Sequence, residues 1–404
     1  QYLANRRFAI ISLLLVVLQR GPFMSLTASS PALAANYLLH SPLADRASVQ
    51  RPVLACRDFH ASLPGFAATP VREAPTAANA LGVARVVVKD ESNRLGLPSF
   101  KILGAAWAVC RELAERWDLG PAAELSFDDL LVAAGRHPEL TLVAPTDGNH
   151  GRAVAHIARL LGLPAKVLMP AGTAQDRIDA IVGEGAEVAV TDVGYDDTVR
   201  LAAALAGPAA AVISDTSWPG YQRAPQDVID GYATVVGEVT DLIDAGGLPE
   251  PDVIAAQIGV GGFAAAVARG FAPRPNRLMV GAEPLDAACV TASAAAGHIV
   301  SLVGEQHSAM AGLNCGTPSD LAWPDVSSGF DAFSVIDDAA AEQAMRLLAS
   351  DGIAAGESGA AGLAGLLGNL GELGLTSDDT VLVFLTEGPT DSANYRRVVG
   401  GNQE

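Results

Sequence analysis

From about Leu81 onwards, this chain of 404 residues alternates short β-branched runs with alanine- and leucine-rich stretches, and that alternation constrains its fold most strongly. Short apolar runs between glycines and prolines are typical of buried strands, whereas apolar residues at helical spacing predict helices. We expect strands at 83–89, 141–144, 165–169, 187–191, 253–258, 278–282 and 381–385. We expect helices at 102–117, 152–161, 173–182, 196–206, 263–268 and 339–350. Strands alternating with helices form parallel sheets with helical crossovers, so the sequence predicts an α/β architecture.

Composition narrows the class of partners. Half of the residues are hydrophobic and only 18% are charged, which excludes disorder for most of the chain. The formal net charge of −19 repels phosphate backbones and anionic lipid, so we expect neither a nucleic acid nor a membrane as a partner. The four cysteines are too far apart for a disulfide scaffold or a metal motif, which favours a reducing compartment and no metal.

The N-terminal segment carries a signal-like pattern. Arg6 and Arg7 precede an apolar run at 8–18, and the residues at 32–34 resemble a cleavage site. The run is too short to span a bilayer and lies far from that site, while Met24 offers an ordinary start. We therefore expect a cytoplasmic protein that starts near Met24, with residues 1–45 as an N-terminal extension.

Lysine is rare in this chain, which contains only Lys89, Lys101 and Lys166. Arginine cannot replace lysine where an amine must form a Schiff base, so such chemistry must use one of these three. Lys101 is the candidate because a polar loop delivers it to the start of a predicted helix, where the helix dipole lowers the pKa of an amine. Phe100 beside it supplies an apolar wall. The alternative is a solvated lysine in a first helical turn.

Two glycine-containing turns between a predicted strand and a predicted helix are candidate anion sites, because the first N–H groups of a helix are unpaired. The first turn is Thr146-Asp147-Gly148-Asn149-His150-Gly151. Asn149 is both donor and acceptor, and Asp147 places a carboxylate where the backbone favours an anion. A plain helix cap is the alternative for both residues, and His150 is expected to pack in the turn rather than to bind a metal.

The second turn is Gly259-Val260-Gly261-Gly262-Phe263, which follows a buried strand and fits a phosphate cradle. It lacks the lysine and hydroxyl of a P-loop and the full dinucleotide fingerprint. Elsewhere, Asp215 opens a polar-aromatic loop, and Thr386 follows the last buried strand. An amine, a phosphate cradle and a hydroxyl at a strand end together suit pyridoxal 5′-phosphate, which needs partners for its aldehyde, phosphate and ring nitrogen.

From about Phe59 to Val399, the chain resembles the fold-type II pyridoxal-phosphate enzymes, which include the serine and threonine dehydratases and the tryptophan synthase β chain. Within that group it is most similar to the diaminopropionate ammonia-lyases. The motifs that carry the resemblance are KDESNRLGLPSFKILG (89–104), TDGNHG (146–151), DTSWPGY (215–221), GVGGF (259–263), GAEP (281–284), MAGLNCGTP (310–318), GESGAAGL (356–363) and TEGPTD (386–391).

The resemblance implies a role for each candidate. Lys101 would bind the cofactor covalently, Asn149 would contact its phenolic oxygen, and Thr386 its ring nitrogen. The remaining cofactor contacts would come from Phe100, Gly259, Val260, Gly261, Gly262 and Phe263. The substrate would lie against the first turn, at Thr146, Asp147, Gly148 and His150.

Asp147 discriminates among the reactions of this group. Dehydratases of this fold usually carry a small or hydroxyl residue there, whereas a carboxylate suits a second, cationic amino group on the substrate. By resemblance, Asp215 would remove the α-proton of an L-isomer and Asp147 that of a D-isomer, in the elimination of 2,3-diaminopropionate to pyruvate and two molecules of ammonia. Serine or threonine dehydration or racemisation, and a non-catalytic amino-acid-binding protein, are the alternatives.

The resemblance also implies two lobes, each with a mostly parallel sheet flanked by helices, and a cofactor in the cleft between them. The smaller lobe would span 104–224, and the larger would combine 46–103 with 225–404. Relatives are usually homodimers, so a homodimer is expected. Metal-using relatives often carry a carboxylate where this chain has Cys289, so the resemblance also implies no metal.

Overall fold

The computed structural model describes residues 34–146 and 148–400, all of which belong to the unit that spans Leu33–Glu404. The apolar run at 8–18 and the alternative start at Met24 lie outside the described residues, as does Asp147.

The strands are β1 (Tyr37–His40), β2 (Val71–Glu73), β3 (Arg85–Asp90), β4 (Thr141–Pro145), β5 (Ala165–Met169), β6 (Glu187–Val190), β7 (Ala210–Val212), β8 (Val253–Gln257), β9 (Leu278–Pro284), β10 (Ala332–Ile336) and β11 (Thr380–Leu385). The helices are α1 (Cys56–Ala61), α2 (Pro75–Leu81), α3 (Lys101–Arg116), α4 (Phe127–Ala134), α5 (Asn149–Leu161), α6 (Gln175–Val182), α7 (Tyr195–Ala203), α8 (Arg223–Gly231), α9 (Ala233–Asp244), α10 (Gly262–Phe271), α11 (Cys289–Ala296), α12 (Trp323–Gly329), α13 (Asp338–Ser350), α14 (Glu357–Leu367), α15 (Leu370–Leu373) and α16 (Ser392–Gly400). Short 3₁₀ turns lie at Arg46–Ser48, Ala122–Glu124, Leu285–Ala287 and Ala311–Leu313.

The strands form two sheets. The larger has seven strands in the order β1-β10-β9-β8-β11-β3-β2, and the smaller has four in the order β6-β5-β4-β7. The smaller sheet is parallel throughout, whereas the larger is parallel except at its edges, where β1 and β2 pair antiparallel with their neighbours. The α/β prediction with mostly parallel sheets is therefore confirmed.

The central strands of the larger sheet are buried on both faces, which explains why they read as continuous apolar runs. In β11, Val381 and Val383 pack on the face covered by α14, while Leu382 and Phe384 pack on the face covered by α10. The strand therefore joins two halves of the core.

The predicted strands and helices all have counterparts in the structure, displaced by a few residues at their ends. The helix expected from Arg152 begins at Asn149, because the glycine-containing turn itself forms the first helical turn. The short strands β1, β2, β7 and β10 were not predicted. Of these, β1 lies within the segment 1–45 that the sequence analysis set apart as an extension.

The carboxyl ends of neighbouring parallel strands bring the candidate residues to one place. In the larger sheet, β8, β11 and β3 are neighbours and lead into the Gly259 loop, Thr386 and the Lys101 loop. In the smaller sheet, β4 and β7 are neighbours and lead into the Thr146 turn and the Asp215 loop. Open α/β sheets bind ligands beyond these strand ends.

Within residues 34–146 and 148–400, no helix combines the length and the apolar character that crossing a membrane requires.

Candidate active site

A cleft of about 1530 Å³ lies at these strand ends and is lined by all five segments. The described candidates that line it are Phe100, Lys101, Thr146, Gly148, Asn149, His150, Asp215, Gly259, Val260, Gly261, Gly262, Phe263 and Thr386. The structure therefore brings the sequence-predicted residues together, apart from Asp147, which is not described.

Of the three lysines, Lys101 alone lines the cleft. Lys89 is fully buried and donates hydrogen bonds to Glu238 and to the carbonyl of Thr69, whereas Lys166 pairs with Glu187 at the surface. Lys101 is the first residue of α3, and 26% of its side chain is exposed. Only this lysine is placed to meet an aldehyde in the cleft.

The loop before Lys101 is fixed to the end of β11. The amide of Phe100 donates to the carbonyl of Thr386 at 3.3 Å, and the amide of Gly388 donates to the carbonyl of Pro98 at 2.9 Å. These backbone bonds tie the candidate amine and the candidate hydroxyl to one another, so their relative position depends on main chain rather than on flexible side chains.

Asp215 is the immediate partner of Lys101, with 3.0 Å between Lys101 Nζ and Asp215 Oδ2. Burial works against the charged amine, but the oxygens of Tyr232 and Asp215 outweigh it and hold the pKa of Lys101 well above its usual value. The expectation of a lowered pKa was therefore wrong: a carboxylate at contact distance has a larger effect than a helix dipole. Burial also opposes the charge on Asp215, yet His150 and Lys101 lower the pKa of this carboxyl to about 2.

The loop that carries Asp215 is held by Tyr221. The Tyr221 hydroxyl donates to the carbonyl of Val212 at 2.6 Å and accepts from the amide of Ser214 at 3.0 Å. Trp218 stacks on the Tyr221 ring with centroids 4.0 Å apart. Tyr221 and Trp218 therefore fix the backbone of the loop that carries the Asp215 carboxylate.

The Thr146–Gly151 turn packs closely against the end of β4. A Cβ atom at Gly151 would lie 2.1 Å from Thr146 Cγ2, so only glycine fits there. The Thr146 hydroxyl accepts from the Gly148 amide at 3.0 Å, and the amides of the first turn of α5 point towards the cleft end of the helix. A guanidinium also approaches this turn, because a Cβ at Gly148 would lie 3.9 Å from Arg177 Nη1.

His150 lies beneath the turn and is 97% buried, since its exposed fraction is 3%. Its Nε2 is 2.9 Å from the carbonyl oxygen of Ile213, and its Nδ1 is 3.9 Å from Asp215 Oδ2. It packs in the turn, as expected from the sequence, and it also faces the carboxylate of the Asp215 loop.

The glycine loop has the backbone shape of an anion cradle. Gly261 has φ of 104°, which a residue with a side chain rarely adopts, and it caps α10, whose first amides face the cleft. A Cβ at Gly259 would lie 3.2 Å from Cys315 Sγ, so the loop also approaches the opposite wall closely.

Phe100, Phe263 and Tyr232 form an aromatic wall next to Lys101. The Phe100 ring centroid is 4.6 Å from that of Tyr232 and 4.7 Å from that of Phe263. The Tyr232 hydroxyl is buried beside Lys101 and, in the described part of the chain, has no other hydrogen-bond partner. This phenol therefore lies next to the candidate amine.

Thr386 and Asn149 each have a partner that sequence reasoning missed. Gln257 Nε2 donates to Thr386 Oγ1 at 2.5 Å, which leaves the proton of the threonine hydroxyl free to be given to another acceptor. Asn149 Nδ2 donates to Glu387 Oε2 at 2.5 Å. Burial raises the pKa of Glu387, although hydrogen bonds from Ser358 and Asn149 favour its charged form.

These missed residues differ in how visible they were. Glu387 directly follows Thr386, so its place at a strand end was a usable signal. Tyr232 and Gln257 sit in apolar helical and strand contexts, where a polar atom looks like ordinary core. Nothing local distinguishes them.

Among residues 34–146 and 148–400, no cluster of histidine, cysteine and acidic side chains has the geometry of a metal site. The GAEP carboxylate, Glu283, instead accepts hydrogen bonds from the amides of Val290 and Thr291 and from the Thr291 hydroxyl. It therefore caps α11 from inside the core.

The residues of the cleft fit pyridoxal phosphate. The glycine loop leaves room and unpaired amides for a phosphate, the aromatic wall flanks the amine, and the Thr386 hydroxyl has a proton to offer a ring nitrogen. The buried Tyr232 hydroxyl adds a polar group beside Lys101. Amine, anion cradle, apolar wall and hydroxyl are the groups this cofactor requires.

Comparison with known proteins agrees with this fit. The family model described as pyridoxal-phosphate dependent enzyme matches residues 63–387. The chain is 38% identical over 362 residues to diaminopropionate ammonia-lyase from Escherichia coli (strain K12), an alignment that covers 85% of this chain and 90% of that relative.

Two crystal structures of the diaminopropionate ammonia lyase from Escherichia coli also match. The complex with D-serine superposes with a TM-score of 0.81 at 35% identity, covering 91% of this chain and 97% of the other. The complex with an aminoacrylate-PLP azomethine reaction intermediate superposes with a TM-score of 0.77 at 36% identity, covering 90% and 94%. The chain therefore belongs to the pyridoxal-phosphate-dependent enzymes of fold type II, and pyridoxal phosphate is its cofactor.

Proposed function

We propose that this protein is an ammonia-lyase that eliminates 2,3-diaminopropionate to pyruvate and two molecules of ammonia. The observation that carries the proposal is the pair of Lys101 and Asp215, 3.0 Å apart in a cleft that no other lysine reaches within the described chain. The matched relatives also support the proposal, because their name, diaminopropionate ammonia-lyase, specifies the loss of ammonia from diaminopropionate.

Pyridoxal phosphate, when bound, supplies an aldehyde that condenses with amines and a ring that withdraws electrons from the α-carbon. We assign the amine to Lys101 and the phosphate site to the backbone of Gly259–Gly262. Phe100 and Phe263 would flank the ring, while Asn149 would face its phenolic oxygen and Thr386 its ring nitrogen. A neutral hydroxyl beside that nitrogen leaves it less protonated than a carboxylate does, which suits elimination over transamination.

Asp215 is proposed as the base for the L-isomer. In the resting pair, the positive charge of Lys101 helps to hold the pKa of Asp215 at about 2, which makes it a weak base. Once Lys101 has given up that charge, the pKa of Asp215 rises. Loss of the charge on Lys101 thus makes Asp215 a stronger base.

Asp147 is proposed as the base for the D-isomer and as a partner for the second amino group. It lies outside the described residues, but Thr146 and Gly148 on either side of it line the cleft. The substrate carboxylate would lie against the amides of this turn, at Thr146, Gly148 and His150, where Arg177 adds positive charge.

The charge of the cleft favours a substrate with two amino groups. Its described lining carries five carboxylates and three permanent cations: Asp176, Asp197, Asp215, Glu305 and Glu387 against Lys101, Arg152 and Arg177. This excess of negative charge attracts a diammonium compound more strongly than it attracts serine.

We further propose that the protein is a cytoplasmic homodimer of two-lobed subunits. Family resemblance supports the dimer, and light scattering after size-exclusion chromatography measures it. The proposed smaller lobe, 104–224, contains every strand of the four-stranded sheet, which spans residues 141–212.

The deciding experiment supplies the purified protein and added cofactor with D- and L-2,3-diaminopropionate, and separately with D- and L-serine. Pyruvate and ammonia are both measured, because the diamino acid yields two ammonia per pyruvate and serine yields one. We expect pyruvate from a diamino isomer, well above that from serine.

Two matched variants assign the bases. Asp215→Asn should lower turnover of the L-isomer by about 10²–10⁴-fold, the usual contribution of acid–base groups, and Asp147→Asn that of the D-isomer. Pyruvate from serine alone would make the protein a dehydratase, and no pyruvate from any of the four would favour a binding protein.

A further inference from the structure

His150 has one ring nitrogen whose proton state is fixed. Nε2 lies 2.9 Å from the carbonyl oxygen of Ile213, and a carbonyl oxygen only accepts hydrogen bonds. Nε2 therefore carries the proton of the neutral ring. Nδ1 is then left as the acceptor of this ring.

Nδ1 faces the candidate base. It lies 3.9 Å from Asp215 Oδ2 and has no hydrogen-bond partner in the described part of the chain. Two unprotonated acceptors that face each other in a buried place repel, so a proton on either of them stabilises the pair. Lys101 Nζ contacts the same oxygen at 3.0 Å, while the Tyr221 hydroxyl in this loop is already committed to Val212 and Ser214.

His60 shows what a purely structural histidine looks like in this protein. It is also fully buried, but Nδ1 lies 2.7 Å from the Thr234 hydroxyl and Nε2 lies 2.9 Å from the carbonyl of Leu103. Both of its nitrogens are satisfied, and burial lowers its pKa to about 3. His150 is almost as deeply buried, but its Nδ1 has no hydrogen-bond partner in the described part of the chain and faces the Asp215 carboxylate.

We infer that His150 is the positioning residue of Asp215: its Nδ1 receives the proton that Asp215 takes from the substrate and restores the carboxylate. This inference rests on the proposed function. It adds to the substrate-binding role expected from the sequence, because the backbone amide of His150 belongs to the turn while its buried ring faces Asp215.

The proton balance is simple. The α-carbon–hydrogen bond breaks, its electron pair stays on the carbon side, and the proton moves to Asp215 Oδ2. The 3.9 Å gap then closes to hydrogen-bond distance, about 2.9 Å, and the proton passes from Oδ2 to Nδ1. The imidazolium so formed is held through Nε2 by Ile213, and it releases its proton through Asp215 to water in the cleft when the product leaves.

The first test uses the cofactor-free protein with ¹⁵N-labelled histidine and reads ring nitrogens by NMR. The chain has seven histidines, and the signals of His150 are identified as those that are missing in His150→Gln. We expect a protonated Nε2 in His150 and an Nδ1 resonance that shifts in Asp215→Asn, with His60 unchanged. A His150 ring protonated on Nδ1 alone, or one indifferent to Asp215→Asn, overturns the inference without any assay of activity.

The second test is kinetic and compares His150→Gln with Asp215→Asn. Glutamine keeps an amide donor for Ile213 but removes the titrating nitrogen. We expect kcat for the L-isomer to fall at least about tenfold with KM changed less than about twofold. The α-deuterium isotope effect on kcat should fall, because the slowed step follows the cleavage of the carbon–hydrogen bond. The ratio of L- to D-isomer turnover should move in the same direction as in Asp215→Asn.

The control is His60→Gln, which removes a buried structural histidine. It should lower stability and leave the isomer ratio and the isotope effect unchanged. An isomer ratio in His150→Gln that matches wild type or His60→Gln overturns the inference. Wild-type protein that releases no pyruvate from either isomer would instead reject the proposed function, and the NMR result would still decide the proton on His150.

Discussion

The buried ion network beneath the Lys101 loop predicts a large loss of stability when it is unbalanced. The side chains of Lys89 and Arg94 are fully buried, and Glu238 accepts from Lys89 Nζ at 2.5 Å and from Arg94 Nη2 at 2.7 Å. Glu91 pairs with Arg94 at 2.6 Å, so two cations face two carboxylates. Glu238→Gln keeps the shape of the side chain but leaves both cations with one carboxylate.

The size of the effect follows from burial. Removing one partner of a buried ion pair costs about 3–5 kcal/mol. An unfolding entropy of about 2.1 cal/mol/K per residue amounts to roughly 0.85 kcal/mol/K for the 404-residue chain, so the Tm should fall by about 4–6 °C. Far-UV circular dichroism during thermal unfolding of the holoenzyme measures this shift.

The matched control is an exposed pair of nearly the same length. Lys166 Nζ lies 2.6 Å from Glu187 Oε1, and the two side chains are 34% and 67% exposed. Glu187→Gln should cost about 0–1 kcal/mol and shift the Tm by about 1 °C or less. Equal shifts in the two variants would refute the reasoning, because burial would then not decide the cost.

Lys101→Arg keeps a cation beside Asp215 but cannot form a Schiff base, so it should lose the visible absorbance of bound cofactor and all pyruvate release as fully as Lys101→Ala; spectra and assays of both variants check this. Gly151→Ala would place a methyl 2.1 Å from Thr146 Cγ2, so we expect overpacking that costs about 1–3 kcal/mol in urea unfolding and a raised KM from the displaced turn. Burial raises the pKa of Glu283 from 4.5 to about 7, despite the hydrogen bonds that favour its carboxylate. Between these values the folded state holds a proton that the unfolded state lacks, so stability should fall by up to about 3 kcal/mol as pH rises from 4.5 to 7, and Glu283→Gln should remove that slope in urea titrations.

The position of Lys101 could be predicted from the sequence, but its electrostatics could not. A polar loop before a helix is a local pattern, and the structure places the amine at that helix start. Its partner, Asp215, is 114 residues away along the chain. No rule of local spacing shows which carboxylate will meet which amine, so the predicted pKa had the wrong direction.

The motif at 89–104 shows the same limit in another way. Its pattern pointed to the site as a whole, yet Lys89, Glu91 and Arg94 serve the core, because Glu238 from α9 meets them there. Likewise, the strand alternation predicted the sheets, but the edge strands β1 and β2 have only four and three residues and are too short to stand out. Local patterns could be interpreted from the sequence, whereas contacts between residues far apart along the chain could not.

Access to the cleft, rather than ease of deprotonation, favours Lys101 as the proposed reactive lysine. Burial lowers the pKa of Lys89 even though Glu91 and Glu238 oppose the shift, whereas the pKa of Lys101 is raised. A criterion based on pKa alone would therefore choose Lys89. That amine, however, is fully buried and donates to the carbonyl of Thr69 at 2.7 Å, so an aldehyde has no path to it.

Lys101 has such a path and needs to give up only its bond to Asp215 in order to react. Asp215, which with Tyr232 raises the pKa of Lys101, is itself the proposed base, so the proton that leaves the amine has an acceptor at 3.0 Å. Asp215 makes Lys101 a poor nucleophile in the resting protein, but the same carboxylate can take the proton of the amine when the aldehyde arrives. Lys89 does not line the cleft, so it cannot substitute for Lys101.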